Sequence, residues 1–307
     1  MLDLKGIIPA TVLPMTPTGE IDEPELRKYV RWIASQGIKA VAVNVDTGEG
    51  PHLWQEEKLR VLRIYREELA GKQIPIVAGL GASFTAQAVK YGKEYLEAGA
   101  DCLLLFPITA YLGQPLPAEI PYRYHKAVAD EVGLPMILFT LQPALGGTNF
   151  ADETLARLSE IPQVVAIKEA LFDAKRFREI VNVVRAAGRP ITVLTGNDNF
   201  IWESYLLGAE GALLGACATC TGAHVEVHAA AMRGDWATAR EKGDRIQKLV
   251  DVIFAAPVRD YRARSKEVLV IQGILKHAHM RPPLLPVGAE DRQALKRALE
   301  EAGQLGA

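Results

Sequence analysis

Short apolar segments recur along the chain, and each is followed by a longer segment whose hydrophobic positions have helical spacing. The short segments do not alternate between apolar and polar residues, which is typical of parallel strands that are covered on both faces. The pattern predicts strands over residues 7–13, 39–45, 74–78, 101–106, 135–141, 164–168, 191–195 and 211–215.

The intervening segments predict helices, and their ends carry the expected residues. Pro24 suits a first helical turn, and Gly37 and Gly99 stand where helices would end. The predicted helices cover residues 23–36, 55–69, 85–98, 118–131, 152–159, 174–187 and 200–207, and an eighth begins near Ala223.

Eight strand–helix alternations within roughly 220 residues fit a closed barrel better than an open, doubly wound sheet. We therefore expect an α/β protein with a (β/α)₈ TIM barrel over residues 1–234 and a C-terminal helical extension over residues 235–307. No linker rich in Pro, Gly or Ser separates the two parts, so we expect a single domain.

The composition excludes several classes of protein. The formal net charge is −2 and the charges are dispersed, so nothing indicates a nucleic-acid-binding surface. No apolar run reaches the ~18 residues that a membrane span needs, and the first strand begins without a preceding signal peptide. Three cysteines do not suggest a disulfide framework. These features predict a cytoplasmic protein with neither a nucleic-acid nor a membrane partner.

Lys168 ends the sixth predicted strand, after an apolar run. In a barrel of this type, the carboxyl ends of the strands line the active site. Burial there would lower the pKa of the lysine and make its amine nucleophilic. The alternative is a lysine that leaves the strand for solvent and pairs with Glu169.

The loop after the second predicted strand reads Asp46, Thr47, Gly48, Glu49 and Gly50. Its two glycines let the backbone approach a ligand, and free N–H groups together with the Thr47 hydroxyl could bind a carboxylate. An ordinary glycine-rich turn is the alternative.

Two further strand ends supply candidates for the lining of the site. Gly196 leaves room at the barrel mouth after the seventh strand, and Gly215 ends the eighth. Asp198 is better interpreted as the N-cap of the next helix.

Together these segments resemble the dihydrodipicolinate synthase/N-acetylneuraminate lyase superfamily over nearly the whole chain. The segments that carry the resemblance are residues 6–17, 19–22, 47–51, 53, 56–58, 165–169, 196–198, 208–211 and 281–284. The resemblance implies that Lys168 forms a Schiff base with pyruvate or a related 2-oxo acid. It also implies that no metal or organic cofactor is needed and that the protein is a homotetramer, a dimer of dimers.

The first departure from the family lies in the carboxylate-binding loop, where the family has two hydroxyl residues before the glycine. Here Asp46 takes the first position and only Thr47 is kept. An aspartate would repel a substrate carboxylate unless it pointed away or were protonated, and an ion pair with Lys168 would raise the pKa of the lysine.

The second departure concerns a tyrosine that relays protons at the end of the fifth strand. The matching position is Phe139 when aligned from the strand start, or Thr140 when aligned backward from Pro143. Both are candidates for contact with the substrate, but loss of such a relay typically costs ~10²–10⁴-fold in rate. Tyr111 could substitute in part, from the loop after the fourth strand and near a neighbouring subunit's site; the alternative is a packed loop tyrosine.

The third departure concerns substrate choice. The synthase branch has an arginine after the fifth-strand proline, whereas residues 144–147 here contain none. The resemblance therefore favours an aldolase or dehydratase that acts on a sugar-derived 2-oxo acid. The competing hypothesis is a catalytically impaired 2-oxo-acid-binding or regulatory protein on the same scaffold.

A second constellation consists of Cys217, Cys220, His224 and His228. These residue types bind zinc, but the two pairs are too close in sequence to fold around a metal in the usual way. No electropositive neighbour supports a redox pair. We interpret them as buried thiols and helix-face histidines, and we expect no metal site.

Overall fold

The structure is a computed structural model that describes residues 2–305, and in this range the chain forms a barrel of parallel strands surrounded by helices. The strands are β1 Ile7–Pro9, β2 Val41–Val43, β3 Ile76–Leu80, β4 Cys102–Leu105, β5 Met136–Leu141, β6 Val164–Ala170, β7 Thr192–Thr195 and β8 Gly211–Leu214.

The helices follow the strands in alternation. They are α1 Glu23–Ala34, α2 Gln55–Glu68, α3 Thr85–Glu97, α4 Glu119–Val132, α5 Asp152–Ser159, α6 Ala174–Ala186, α7 Ile201–Leu206, α8 Thr221–Met232, α9 Trp236–Ile253, α10 Tyr261–Ile271 and α11 Ala289–Glu301. Asp22 caps α1 by accepting a hydrogen bond from the Glu25 backbone N–H at 3.2 Å, with Pro24 in the first turn.

Each strand pairs in parallel with its neighbours, from β2 through β8 and on to β1. The remaining gap is bridged by backbone hydrogen bonds from Thr11 N–H to Ala42 O at 3.0 Å and from Lys39 N–H to Ile7 O at 2.8 Å. The predicted (β/α)₈ TIM barrel is confirmed.

Alternate strand residues build two apolar layers. One set points into the barrel, including Ile8, Val77, Ile137 and Leu213. The residues between them point outward and pack against the helices. A polar side chain on the inner face of a strand is therefore directed into the barrel.

The helices after the barrel pack back onto it. In α9 to α11, residues including Ile246, Val268 and Leu299 form an apolar cluster that also contains Cys220 next to α8. This packing brings the first turn of α10 beside the loop after β2, where Tyr261 and Arg262 contact Asp46.

The sixth strand is longer than predicted, and the prediction that it ends at Lys168 was wrong. Glu169 and Ala170 continue the ladder and pair with Thr140 and Leu141 of β5. Glu169 is a polar residue inside the strand, but its carboxylate is buried and accepts a hydrogen bond from Asn197 Nδ2 at 2.5 Å. No helix between residues 2 and 305 is both long enough and apolar enough to cross a membrane.

Candidate active site

Lys168 lies on the inner face of β6, in register with Phe139 of β5 and Leu194 of β7. Its side chain is partly exposed, and its Nζ lies 4.4 Å from the centroid of the Phe139 ring. Among residues 2–305, no group forms a hydrogen bond or ion pair with this amine. Desolvation lowers the pKa of Lys168 to about 8, although the negative charges of Asp198 and Asp46 act in the opposite direction and raise it.

Glu169, the partner in the alternative interpretation of Lys168, is engaged elsewhere. Its carboxylate accepts hydrogen bonds from Asn197 Nδ2 and, at 2.9 Å, from the Leu171 backbone N–H. Burial raises the pKa of Glu169 to about 7. Lys168 is therefore directed into the barrel and is not paired with Glu169 at the surface.

Gly196 lies directly against the Lys168 side chain. A Cβ at this position would come within 2.8 Å of Lys168 Cε and of Ala170 Cβ, so no larger residue fits without displacing the lysine. The glycine after β7 thus sets the space in which the lysine side chain extends.

The prediction that Asp198 caps the next helix was wrong. Its carboxylate accepts a hydrogen bond from the Ala216 backbone N–H at 3.0 Å, across to the loop after β8, while α7 has Phe200 at its N-cap and no side-chain cap. Burial raises the pKa of Asp198 to about 6, although the hydrogen bond from the Ala216 N–H and the positive charge of Lys168 lower it in part. Asp198 therefore contributes a buried carboxyl group whose charge acts on the lysine.

The loop after β2 wraps tightly over the barrel mouth. A Cβ on Gly48 would lie 2.9 Å from Thr11 O, and one on Gly50 would lie 2.0 Å from Asn44 O. Thr47 is buried, and its Oγ1 lies 3.3 Å from the Tyr261 hydroxyl. The loop glycines are thus required by close backbone packing, whether or not a ligand is bound.

A buried ion pair joins the same loop to α10. Glu49 and Lys266 of α10 are both completely inaccessible to solvent, and Lys266 Nζ donates a hydrogen bond to the Glu49 carboxylate and another, at 2.8 Å, to His279 O. The second Glu49 oxygen accepts a hydrogen bond from the Arg281 backbone N–H at 3.2 Å. Sequence reasoning missed Lys266, because its chain neighbours Ser265 and Glu267 are polar and give no signal of burial.

Asp46 faces α10 rather than Lys168. Arg262 forms an ion pair with its carboxylate and donates from Nε to its backbone oxygen at 2.8 Å. The Tyr261 hydroxyl donates to Asp46 Oδ2 at 2.7 Å. The negative charge introduced by this departure from the family is therefore balanced by a cation from the C-terminal extension. No motif signalled Tyr261 or Arg262.

Phe139, and not Thr140, is the residue that the structure brings to Lys168. Phe139 is on the inner face of β5, and its ring also packs edge-on against Phe106 at a centroid distance of 5.2 Å. Thr140 shares the outer face with Leu138, and its buried hydroxyl has no hydrogen-bond partner among the described residues. The candidate assignment of Thr140 as a substrate-contacting residue does not fit this orientation.

Gly215 follows β8 beside the Thr47 loop. A Cβ here would come within 3.0 Å of Phe254, 3.2 Å of Thr47 Oγ1 and 3.3 Å of the Tyr261 ring. Phe254 and Tyr261 stack with ring centroids 4.8 Å apart. Gly215 thus provides the space in which Thr47 and Tyr261 meet.

Tyr111 is packed inside the loop region after β4. It is 2% exposed, and its ring contacts Tyr124, Phe150 and His125. Within residues 2–305 its hydroxyl has no hydrogen-bond partner, and burial raises its pKa. The single chain therefore shows the packed arrangement, and a catalytic contribution of Tyr111 stays a prediction.

The cysteine–histidine segment around α8 is built into the core. Cys217, Cys220 and His224 are buried, and burial lowers the pKa of His224 to about 4. His228 Nε2 lies 3.0 Å from Glu210 O. Over the described part of the chain, no group of three or more His, Cys, Asp or Glu side chains is arranged to hold a metal ion.

Comparison with known proteins gives matches along nearly the whole chain. The Dihydrodipicolinate synthetase family matches residues 3–302. A 4-hydroxy-tetrahydrodipicolinate synthase from Neisseria gonorrhoeae is 31% identical over 98% of this chain and 100% of its own length. One from Methylococcus capsulatus is 32% identical, again over 98% of this chain and 100% of its own.

Solved structures agree with this result. The chloride-inhibited dihydrodipicolinate synthase of Acinetobacter baumannii, complexed with pyruvate, superposes with a TM-score of 0.86 at 32% identity, covering 98% of this chain and 99% of the other. A monomeric dihydrodipicolinate synthase variant gives a TM-score of 0.89 at 26% identity, covering 98% and 97%. From the match over residues 3–302 and the relatives above 30% identity, we conclude that this chain belongs to the dihydrodipicolinate synthetase family.

Proposed function

We propose that the protein is a lyase that forms a Schiff base between Lys168 and the ketone of pyruvate or a sugar-derived 2-oxo acid. The observation that carries this proposal is the Lys168 amine: it lies on the inner face of β6 without a hydrogen-bond partner in the described residues, and its pKa is lowered to about 8. With this pKa about a tenth of the amine is free at pH 7, and the free amine can attack a carbonyl carbon.

The chemistry follows from that amine. Its nitrogen adds to the ketone carbon, and loss of water gives an iminium ion that withdraws electrons from the neighbouring carbon. Loss of a proton from that carbon then gives an enamine, which can form a carbon–carbon bond; the reverse sequence cleaves one, and a related sequence eliminates water. These steps need an amine and proton carriers but no metal or organic cofactor.

The substrate carboxylate belongs in this proposal at the loop after β2. The backbone N–H groups of Thr47 and Gly48 hold it there, and the loop lies beside Gly215, whose missing Cβ leaves room for the Thr47 side chain. Asp46 is neutralised by Arg262, so its charge opposes carboxylate binding less than an unpaired aspartate would. The pyruvate complex of the Acinetobacter baumannii relative supports this substrate class.

The second substrate differs from that of the synthases in this proposal. The turn after β5 is a short 3₁₀ helix, Pro143–Leu145, followed by glycines, and residues 144–147 carry no cation for a second carboxylate. We therefore favour an aldolase or dehydratase over the synthase reaction named for the relatives.

The test is reductive trapping. The full-length protein is incubated with pyruvate and borohydride, and the intact mass is compared with that of Lys168→Ala treated in the same way. We expect a single pyruvate adduct on the wild-type protein and none on Lys168→Ala. A wild-type protein that yields no adduct with pyruvate or with longer 2-oxo acids would contradict the proposal.

The alternative of a catalytically impaired binding protein is favoured by one observation: Phe139 stands beside Lys168 where the resemblance implies a tyrosine. This alternative predicts adduct formation without turnover of any 2-oxo acid in a panel of aldols and sugar acids. The homotetramer and the cytoplasmic location also stay predictions; sedimentation velocity addresses the former, since one structural relative is described as monomeric.

A further inference from the structure

The proposed chemistry needs a group that accepts a proton at the barrel mouth, and Phe139 cannot be that group. The Tyr111 hydroxyl is packed among aromatic rings and has no hydrogen-bond partner in residues 2–305. Asp198 already accepts the Ala216 N–H with one oxygen. A different set of oxygen atoms runs from the buried side of the loop after β2 to the protein surface.

This set is a chain of three side chains. The Thr47 hydroxyl lies 3.3 Å from the Tyr261 hydroxyl, and the Tyr261 hydroxyl lies 2.7 Å from Asp46 Oδ2. Thr47 is 3% exposed and Tyr261 is 7% exposed, whereas the Asp46 side chain is 44% exposed. The chain therefore begins inside the protein and ends at a carboxylate in contact with solvent.

The order of donors and acceptors in this chain is fixed. Asp46 is ion-paired with Arg262 and a carboxylate only accepts hydrogen bonds, so the single Tyr261 proton is donated to Asp46. The Tyr261 oxygen can then accept only from Thr47, whose own proton is used in that bond. The free lone pairs of Thr47 Oγ1 are left as an acceptor.

We propose that Thr47, Tyr261 and Asp46 form a proton relay that serves the Schiff base at Lys168 and replaces the hydroxyl missing at Phe139. This inference rests on the proposed function. Thr47 is the member that would contact the substrate, while Tyr261 and Asp46 act through it as positioning residues. The relay assigns a role to Asp46, the residue that departs from the family pattern.

The step that the relay serves is conversion of the iminium ion to the enamine. The C3–H bond of the bound 2-oxo acid breaks, its electron pair forms the C2–C3 double bond, and the iminium π electrons move to the lysine nitrogen. The proton passes to Thr47 Oγ1 while the Thr47 proton moves to Tyr261 and the Tyr261 proton moves to Asp46. Asp46 releases one proton to water, so the sequence is balanced without a co-reactant.

Tyr261→Phe is the most direct variant, because it removes one oxygen and keeps the ring that stacks on Phe254. Asp46→Asn removes the terminal acceptor and keeps the side-chain shape. Tyr95→Phe is the matched control, since Tyr95 is a buried tyrosine of α3 whose hydroxyl has no partner among the described residues.

Two measurements are made on each variant with pyruvate as the probe. The first is exchange of the methyl hydrogens of pyruvate into D₂O, followed by NMR, which reports proton transfer at C3. The second is the amount of borohydride-trapped adduct at saturation, which reports the Schiff base itself. We expect exchange about 10²–10³-fold slower in Tyr261→Phe and Asp46→Asn, with wild-type adduct yield and with Tyr95→Phe unchanged.

A merely structural role would lower adduct and exchange together, whereas the relay lowers exchange alone. The double variant Thr47→Val/Tyr261→Phe adds a further test. Because residues of one relay act as a unit, its exchange rate should fall no further than that of the more affected single variant. If Tyr261→Phe does not fold, Asp46→Asn alone decides between these outcomes.

The results separate failure of the relay from failure of the proposed function. Adduct on the wild-type protein together with wild-type exchange in Tyr261→Phe or Asp46→Asn overturns the relay and leaves the Schiff-base lyase standing. A selective loss of exchange in Tyr111→Phe, with Tyr261→Phe unaffected, also overturns it. Absence of adduct from the wild-type protein overturns the proposed function, and the relay with it.

Discussion

Two lysines lie at the same end of the barrel, and their surroundings differ. Lys266 is fully buried, paired with Glu49 and hydrogen-bonded to His279 O. Lys168 has an aromatic ring for a neighbour and, among residues 2–305, no hydrogen-bond partner. Burial lowers the pKa of both amines. The comparison predicts that desolvation alone does not make a lysine reactive, because the amine must also be free of partners.

The largest expected effect, on the free energy of unfolding, comes from removing the lysine of the Lys266–Glu49 ion pair. Lys266→Met leaves the Glu49 carboxylate buried without a cation, so we expect the free energy of unfolding to fall by about 3–5 kcal/mol, measured by urea denaturation. Lys168→Met is the matched control and should not lower stability, since no ion pair is broken. Lys266→Met/Glu49→Gln should recover part of the loss; equal stability of Lys266→Met and wild type would refute the comparison.

The lowered pKa of Lys168 should be visible in the pH dependence of adduct formation. With a pKa of about 8, the free-amine fraction of Lys168 rises with pH and is half-maximal near that value. Between about pH 6 and pH 9 the trapping rate with pyruvate should increase roughly 90-fold, from about 1% to about 90% free amine. A rate that still rose without a plateau above about pH 10 would mean that the amine is not perturbed.

The smallest effect concerns the charge next to the unpaired lysine. The Asp198 carboxylate raises the pKa of Lys168, so Asp198→Asn should move the midpoint of the trapping profile to lower pH. The asparagine oxygen can still accept the Ala216 N–H, which preserves the loop. A midpoint shifted to higher pH would argue that Asp198 does not act on Lys168 through its charge.

The sequence pattern located the strands and singled out Lys168 because both depend on local features. A parallel strand covered on both faces is an apolar run wherever it occurs, and a lysine inside such a run is unusual enough to be noticed. The end of β6 was misjudged because the polarity of Glu169 is compensated by Asn197, which comes from another strand end.

The part of the site that sequence reasoning missed depends on contacts between distant segments. Tyr261 and Arg262 reach Asp46 from α10, more than two hundred positions along the chain, and no spacing motif links them. Thr140 and Phe139 could not be separated until the register with β6 showed which one shares a face with Lys168. Assigning such residues to the site requires strand register and packing, which the hydrophobic periodicity of a sequence does not give.

Arg281 joins the far end of the chain to its first third. Its guanidinium donates to Gly19 O and His52 O and holds Glu57 through two hydrogen bonds of 2.7 and 2.6 Å, while its backbone N–H contacts Glu49. The loop after β2 therefore has its full set of contacts only when the last part of the polypeptide has been made. During synthesis on the ribosome, the barrel strands emerge well before Arg281 does. We therefore expect the loop after β2 to take its final conformation late, in a single step.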